Sequence, residues 1–414
     1  MEKKKKLLII NPGSTSTKVA LYEERTPVLE RDLMVDLEKI KDCVRMIDQL
    51  QLRLDTVKDF IKEEKINMSE VDMIVARGGS INGVKSGAYM ITEHVETMLR
   101  YAPRSQHVSS LAGIIAYILG KEYRIPSMFY DGVSADDADE IMHYTGIPEV
   151  KRFVTSHCLN SKMVAREIAE EMGKKYEDCN MITVHMGGGI TMAFHSGGRM
   201  IDTLLDDAGP MSPQRAGRIP VTDVINMCYS GRYSKEEMAH KMRGNSGLVA
   251  YFGVHDARSV EKMIAQGDEK AKMIYWYMAY QIAKGIGELS VCNSGKMDCI
   301  ILTGGLAYSE MLVKWISDRV YFPAPVKVNW EAGQHIPRLK IPECIMNGKF
   351  EWYGKGFCGA TIEAQMHPYQ YPAPGYGSIK MYWKYGGPHI GTMTATNRYA
   401  KMYTSESLEF VVSQ

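Results

Sequence analysis

Short apolar runs recur along this chain, and each ends in a small or polar turn. Leu7–Ile10, Val19–Tyr22, Val71–Ala76, Ile125–Tyr130, Met181–Val184, Arg199–Leu205 and Cys299–Leu302 read as strands. Between them lie stretches with apolar residues at helical spacing. Over 36–66 these are Leu37, Ile40, Val44, Ile47, Leu50, Leu54, Val57 and Ile61, an amphipathic helical layer. The same period predicts helices over 107–121, from Phe153 to about Met172, over 221–243 and 259–290, and from Ser309 to Ile316. Strands interleaved with helices in this way predict an α/β fold.

The pattern contains a repeat. Leu7-Leu-Ile-Ile-Asn11-Pro-Gly13-Ser-Thr-Ser-Thr-Lys18-Val-Ala-Leu-Tyr22 reads as strand, polar turn, strand. Ser14 to Thr17 supplies four consecutive hydroxyls. Such donors, with the turn's N–H groups, can wrap anionic oxygens closely. Lys18 adds a point charge, and Asn11 offers an amide oxygen to a hydrated cation. Met181-Ile-Thr-Val-His185-Met-Gly187-Gly-Gly189 through His195 repeats the layout. Asn11 and His185 each end the first strand, two residues before a glycine. A third glycine turn, Thr303-Gly304-Gly305, closes another apolar strand and opens a helix, where anions are favoured. One such turn alone would be an ordinary hairpin. Duplicated, the units resemble the actin-like ATPase superfamily, whose two related ribonuclease H-like lobes surround a nucleotide cleft. Neither the Walker loop nor a G-x-G-x-x-G fingerprint is present at these turns.

Composition narrows the class. The 414 residues suffice for two or three domains. With 50 basic and 49 acidic residues the net charge is +1, so no global field draws the chain to nucleic acid or membrane. The eight cysteines form no C-x-x-C pair, and several lie in apolar patterns, as reduced core residues do. Met1-Glu-Lys-Lys-Lys-Lys is followed by only four apolar residues, too few for a signal peptide. A cytoplasmic protein is expected, with no nucleic acid or membrane partner.

Further candidates stand at strand ends and in punctuated loops. Arg77 follows a buried strand and precedes Gly78-Gly79, where a guanidinium can grip a carboxylate or phosphate; an ordinary surface arginine before a turn fits equally. Asp131 ends its strand before Gly132, at the sheet edge where ligands of α/β folds collect. The later acids, Asp136 to Glu140, are expected in a solvated loop and helix start. His157 opens a helix. Asp206 to Pro220 is a Pro/Gly-rich loop carrying Arg215 and Arg218, too punctuated to be core. Gly253 to Arg258 is a short connector.

These residues together resemble the acetate/butyrate kinase family, in its butyrate kinase branch, from about Lys5 to Val328. The resemblance rests on Asn11-Pro-Gly-Ser-Thr-Ser-Thr-Lys18, Ala76-Arg77-Gly-Gly79, Asp131, Thr155-Ser-His157, His185-Met-Gly-Gly-Gly189, Ser212-Pro-Gln-Arg215-Ala-Gly217, Asp256-Ala-Arg258 and Thr303-Gly-Gly305 in order. Pro-Gly-Ser-Thr in the first loop and the direct Arg-Gly-Gly point to the butyrate branch. The resemblance implies phosphoryl transfer between ATP and a short-chain carboxylate, giving ADP and an acyl phosphate. It also implies roles. Asn11 and Lys18 would hold magnesium and phosphate, with Ser14 in the same loop. Arg77 would grip the carboxylate, and Asp131 would be the active-site carboxylate, a magnesium or water-shell ligand. His157 and Arg215 would stabilise the transition state. His185, Gly187, Gly188, Gly189, Asp256, Ala257, Arg258, Gly304 and Gly305 would line the ATP/ADP site. A homo-oligomer is expected.

The family's final strand leads into a proline-glycine-glutamate stretch and a closing helix. Here Ala324–Val328 is followed by Asn329-Trp-Glu331-Ala-Gly, which puts Glu331 out of register and leaves no closing helix. Residues 329–414 hold three of the five tryptophans but only two leucines, Leu339 and Leu408. So leucine-poor a segment is not expected to build its own core. Phe350 to Val412 resembles an internal piece of a molybdopterin oxidoreductase of the dimethyl sulfoxide reductase type. Arg398–Lys401 would start a helix there, and Leu408–Val412 would be a strand without partners. One such piece is expected to bind no molybdenum cofactor and to be open to protease. The expected domains are therefore 1–150, a lobe with the carboxylate site; 151–328, a lobe with the nucleotide site; and an irregular 329–414. Two other readings stand beside the kinase: an actin-like module that binds nucleotide without transfer, and an inactive fusion.

Overall fold

A computed structural model describes residues 4–13, 16–40, 43, 45–81, 83–101, 108–205, 208–321, 324–328, 380–382, 391–394 and 410–412. It divides into two compact units. The first includes Met1–Asp136 and Tyr144–Leu159, the second Asp137–His143 and Asn160–Pro337.

The first unit is built on β1 (Lys6–Pro12), β2 (Ser16–Glu23), β3 (Thr26–Met34), β4 (Met73–Arg77), β5 (Ala88–Met90) and β6 (Ser127–Tyr130). They form one sheet in the order β3-β2-β1-β4-β6-β5. β1, β4 and β6 run parallel. β2 and β3 form an antiparallel meander on one side of β1, and β5 is an antiparallel edge beside β6. Leu7 to Ile10 and Met73 to Ala76 are fully buried because apolar layers cover both sheet faces. The helices Leu50–Glu63 and Ser109–Tyr123 contribute Leu54, Val57, Leu111 and Ile115 to this core. Among the described residues, the layer expected over 36–66 consists of the helices Leu37–Ile40 and Leu50–Glu63, the second entered through a 3-10 turn, Met46–Gln49.

The second unit repeats the plan with β7 (Met181–Met186), β8 (Ile190–Ser196), β9 (Arg199–Leu204), β10 (Cys299–Thr303) and β11 (Val326–Val328). Their order is β11-β10-β7-β8-β9, which matches β6-β4-β1-β2-β3 strand for strand. The senses match too: β7, β10 and β11 are parallel, while β8 pairs antiparallel with β7 and β9 antiparallel with β8. The duplication seen in two turns thus extends to five strands. Ile182, Val184 and Met186 pack on one face with Tyr275, Met278 and Ile282 of the helix Glu269–Ser290. Met181, Cys299 and Ile301 pack on the other with Val164 and Ile168 of the helix Cys158–Glu171.

Several expected elements are shorter. The stretch 221–243 is two helices, Val221–Cys228 and Lys235–Met242. Ser234 caps the second and Glu237 closes a reciprocal capping box, which restarts the helix after the turn at Gly231. The stretch 259–290 also divides, into Ala257–Ala265 and Glu269–Ser290, because Gly267 turns with φ 90°. Among the later acids after Asp131, Asp137 is not solvated. It is 6% exposed and bonds the equally buried Lys162 at 3.0 Å.

Three short strands are described beyond residue 328: β12 (Lys380–Tyr382), β13 (Gly391–Thr394) and β14 (Phe410–Val412). β13 pairs with β12 antiparallel and with β14 parallel, so the terminal strand does have partners. Glu331 and the segment Arg398–Lys401 lie outside the described residues. No helix among the described residues is long and apolar enough to cross a membrane.

Candidate active site

In the first unit, strand register brings the candidates together. Ile10 faces Ala76 across β1 and β4, and Arg77 faces Tyr130 across β4 and β6. Asn11, Arg77 and Asp131 therefore stand at the carboxyl ends of three adjacent parallel strands. Lys18 lies directly opposite Asn11 in the β1–β2 hairpin, and its ammonium is 3.9 Å from Asp32. The Arg77 Nη1 lies 3.5 Å from the Asn11 Oδ1. Burial lowers the Arg77 pKa from its ordinary value, and a guanidinium remains charged nonetheless.

Asp131 is 2% exposed and holds φ 43°, a left-handed backbone that L residues rarely adopt. Two bonds to Gly87 fix it there: Asp131 N–H donates to the Gly87 carbonyl at 2.9 Å, and the Gly87 N–H donates to Asp131 Oδ1 at 2.8 Å. The glycines of both motifs have one cause. A Cβ on Gly78 would lie 2.4 Å from the Gly132 Cα, so the turns after β4 and β6 pass backbone against backbone. His157 precedes the helix Cys158–Glu171, and its neighbour Ser156 N–H bonds the Val133 carbonyl at 2.8 Å. Ser14 lies outside the described residues. Of its described neighbours, Gly13 donates its N–H to the Ser16 carbonyl at 2.7 Å.

The second unit gathers a different set. His185 ends β7, and its Nδ1 is 2.7 Å from the Oδ1 of Asn160. Gly187 N–H bonds the Gly189 carbonyl at 3.0 Å and shapes the glycine turn. The Pro/Gly-rich loop is pinned onto that turn. The Ser212 hydroxyl and the Gln214 N–H both donate to the Gly188 carbonyl, at 2.7 and 3.1 Å. This carries Arg215 across Gly189, its Nε 3.9 Å from where a Cβ would stand. Thr303 pairs with His185 across β10 and β7. Gly304, at φ 91°, brings its backbone against Met186, where a Cβ would meet the carbonyl oxygen at 2.6 Å. Thr303 Oγ1 is buried without a hydrogen-bond partner among the described residues.

Asp256, Ala257 and Arg258 start the helix Ala257–Ala265. The Asp256 carboxylate caps it, accepting from the Ser259 hydroxyl at 2.6 Å and N–H at 3.2 Å. The Ser259 bonds hold its pKa below the usual carboxylate range. Ala257 is buried, and Arg258 is 89% exposed.

The sequence reading passed over two side chains. Asn160 orients the His185 ring, and its only sequence signal is its place three residues after His157. Arg53 is 1% exposed and lies beneath the first loop. Its signal was an arginine on the apolar face of an amphipathic helix, between Leu50 and Leu54.

Among the described residues, no three His, Cys, Asp or Glu converge as a metal cage. Two lobes with one strand order, each with a polar turn at the ends of its parallel strands, define an actin-like ATPase fold. The chain is similar in structure to the acetate kinase of Entamoeba histolytica, with a TM-score of 0.65 at 18% identity over 84% of this chain and 99% of that one. It is likewise similar to a propionate kinase of Francisella tularensis subsp. tularensis, with a TM-score of 0.64 at 19% identity over 77% of this chain and 88% of that one. The model of the acetokinase family matches residues 143–317. In sequence the chain is 44% identical over 336 residues to a protein described as probable butyrate kinase 2 of Caldanaerobacter subterraneus subsp. tengcongensis, 81% of this chain and 95% of that relative. The chain belongs to the acetokinase family, and it is a kinase.

Proposed function

We propose that this kinase transfers the γ-phosphoryl group of ATP to a short-chain carboxylate such as butyrate, reversibly, giving an acyl phosphate and ADP. A carboxylate oxygen forms the new O–P bond while the bond from the γ-phosphorus to the β–γ bridging oxygen breaks, and ADP keeps that oxygen. The carboxylate is already ionised at pH 7, so no strong base is needed. The observation that carries the reading is the alignment of Asn11, Arg77 and Asp131 on adjacent strand ends, in a chain 44% identical to a protein described as a probable butyrate kinase. A nucleotide-binding module that transfers nothing would have no use for a carboxylate clamp.

Arg77 is assigned to the carboxylate substrate. Arg215 and His157 are assigned to the equatorial oxygens of the phosphoryl group in flight, where preorganised donors act most strongly. Lys18 and Ser14 would hold phosphate oxygens. His185, Gly187 to Gly189, Asp256 to Arg258, Gly304 and Gly305 would line the nucleotide site, with Asp256 acting through the helix it caps. Magnesium fits the donors present. Asn11 offers an amide oxygen and Asp131 a carboxylate, and this ion keeps most of its coordination for phosphates and water rather than a protein cage. It would screen phosphate charge.

The enzyme is proposed to be cytoplasmic and a homo-oligomer. In support of self-association, Met273, Trp276, Tyr277 and Tyr280 are exposed along one helix, with Arg319 4.7 Å from the Trp276 ring. Sedimentation of the purified chain reads this directly; a monomer at every concentration would refute it.

An acyl-hydroxamate assay with acetate, propionate, butyrate and isobutyrate tests the reaction. ATP-dependent hydroxamate with butyrate is expected. ATP hydrolysis without hydroxamate from any acid would leave only the nucleotide-binding module.

A further inference from the structure

The first loop of the chain is underpinned by a charge that no motif announces. Arg53 sits on the helix Leu50–Glu63, and its side chain is buried to within 1%. Its Nη1 donates to the Ser16 carbonyl at 3.2 Å and to the Thr17 Oγ1 at 3.0 Å. Its Nε donates to the Oε1 of Gln49, itself buried, at 3.1 Å. The Ser16 carbonyl also accepts the Gly13 N–H. One carbonyl thus ties the guanidinium to Gly13, and Thr17 is wholly buried.

Packing alone does not account for this residue. Its neighbours on the helix face are Leu54, Val57 and Ile61, and an apolar side chain of similar volume would serve a core as well as a buried cation does. What an arginine adds is a set of directed donors and a fixed positive charge one hydrogen bond from the loop.

We propose that Arg53 is a positioning residue for the phosphate tail of ATP: it holds Ser16 and Thr17, where the first loop enters β2, and keeps a fixed positive charge one hydrogen bond from that strand start. The proposal rests on the assignment of this loop to phosphate, and it adds a residue that acts from behind it. Its effect should fall on the nucleotide, because its bonds go to Ser16, Thr17 and Gln49, whereas Arg77, assigned to the carboxylate, lies beside Asn11.

Steady-state hydroxamate kinetics on Arg53→Met, Arg53→Lys and Thr17→Val separate this from a general structural role. The KM for ATP should rise about tenfold in Arg53→Met, as expected for the loss of a charge-assisted hydrogen bond, while the KM for butyrate stays within about twofold. Arg53→Lys should recover part of that loss, since it keeps the charge without the fork. Thr17→Val leaves Arg53 in place and removes one acceptor; it should raise the ATP KM less than Arg53→Met does. If Arg53→Met does not fold, the other two variants decide. Unchanged ATP KM in the folded variants, or equal rises for ATP and butyrate, would overturn the proposal. A wild-type chain that forms no hydroxamate would instead defeat the phosphotransfer reading itself.

Discussion

At the residue scale, the two arginines assigned to the reaction differ in how they are held. Arg77 extends from a buried strand beside Asn11, whereas Arg215 is carried by a loop pinned to the Gly188 carbonyl. Replacing either by Ala should raise the barrier by about 2–4 kcal/mol while changing ATP affinity far less, because such donors act where charge develops. Arg77→Lys should recover little, since a carboxylate grip depends on the planar fork. Turnover by the hydroxamate assay checks this. Normal turnover in Arg215→Ala would remove that residue from the mechanism. Arg77 and Arg215 were legible because each sits beside a glycine or proline turn. Asn160 and Arg53 were not: neither stands beside such a turn, and the groups each one bonds are brought to it by packing from elsewhere in the chain.

At the element scale, the turns after β4 and β6 pass backbone against backbone. A methyl group at Gly78 would press on the Gly132 backbone, which cannot rotate away as a side chain can. Gly78→Ala should therefore cost about 1–3 kcal/mol in urea unfolding and reduce activity, since Asp131 sits immediately before Gly132. Gly287, within the helix Glu269–Ser290, has nothing within 4 Å of its added Cβ. Gly287→Ala should stabilise by up to about 1 kcal/mol through helix propensity alone. Equal effects from the two substitutions would show that the close backbone approach does not matter. The apolar period located these elements, but it carried helices through Gly231 and Gly267, because a period does not register a left-handed turn inside a continuous pattern.

At the scale of the whole molecule, pH should act on stability through the second unit. His195 is fully buried between the Tyr176 hydroxyl, 2.7 Å from Nδ1, and the Thr183 hydroxyl, 2.9 Å from Nε2. Burial is the main cause that pushes its pKa down to about 3; Lys162 and Arg166 add to this, and Asp137 opposes it. In the unfolded chain it titrates near 6.5. Between those values the unfolded chain binds a proton that the folded one does not. Stability from this group is thus complete above pH 6.5 and is lost as pH falls toward 3. Urea unfolding across that range should show a steeper fall for the wild type than for His195→Gln. Equal slopes would mean that His195 is not the group responsible.

The sequence alone determined the α/β class, the repeated strand–turn–strand unit, and the strand ends where Asn11, Arg77, Asp131, His185 and Gly304 stand. Those follow from periodicity and from turn residues, which are local properties of a chain. Tertiary structure decided the rest: the matching five-strand order of the two sheets, the pinning of Arg215 over Gly189, the burial of Asp137 against Lys162, the ring orientation of His185 and the place of Arg53 under the first loop. Each depends on residues far apart in the chain, and a partner brought by packing leaves no mark in the local pattern that a sequence displays.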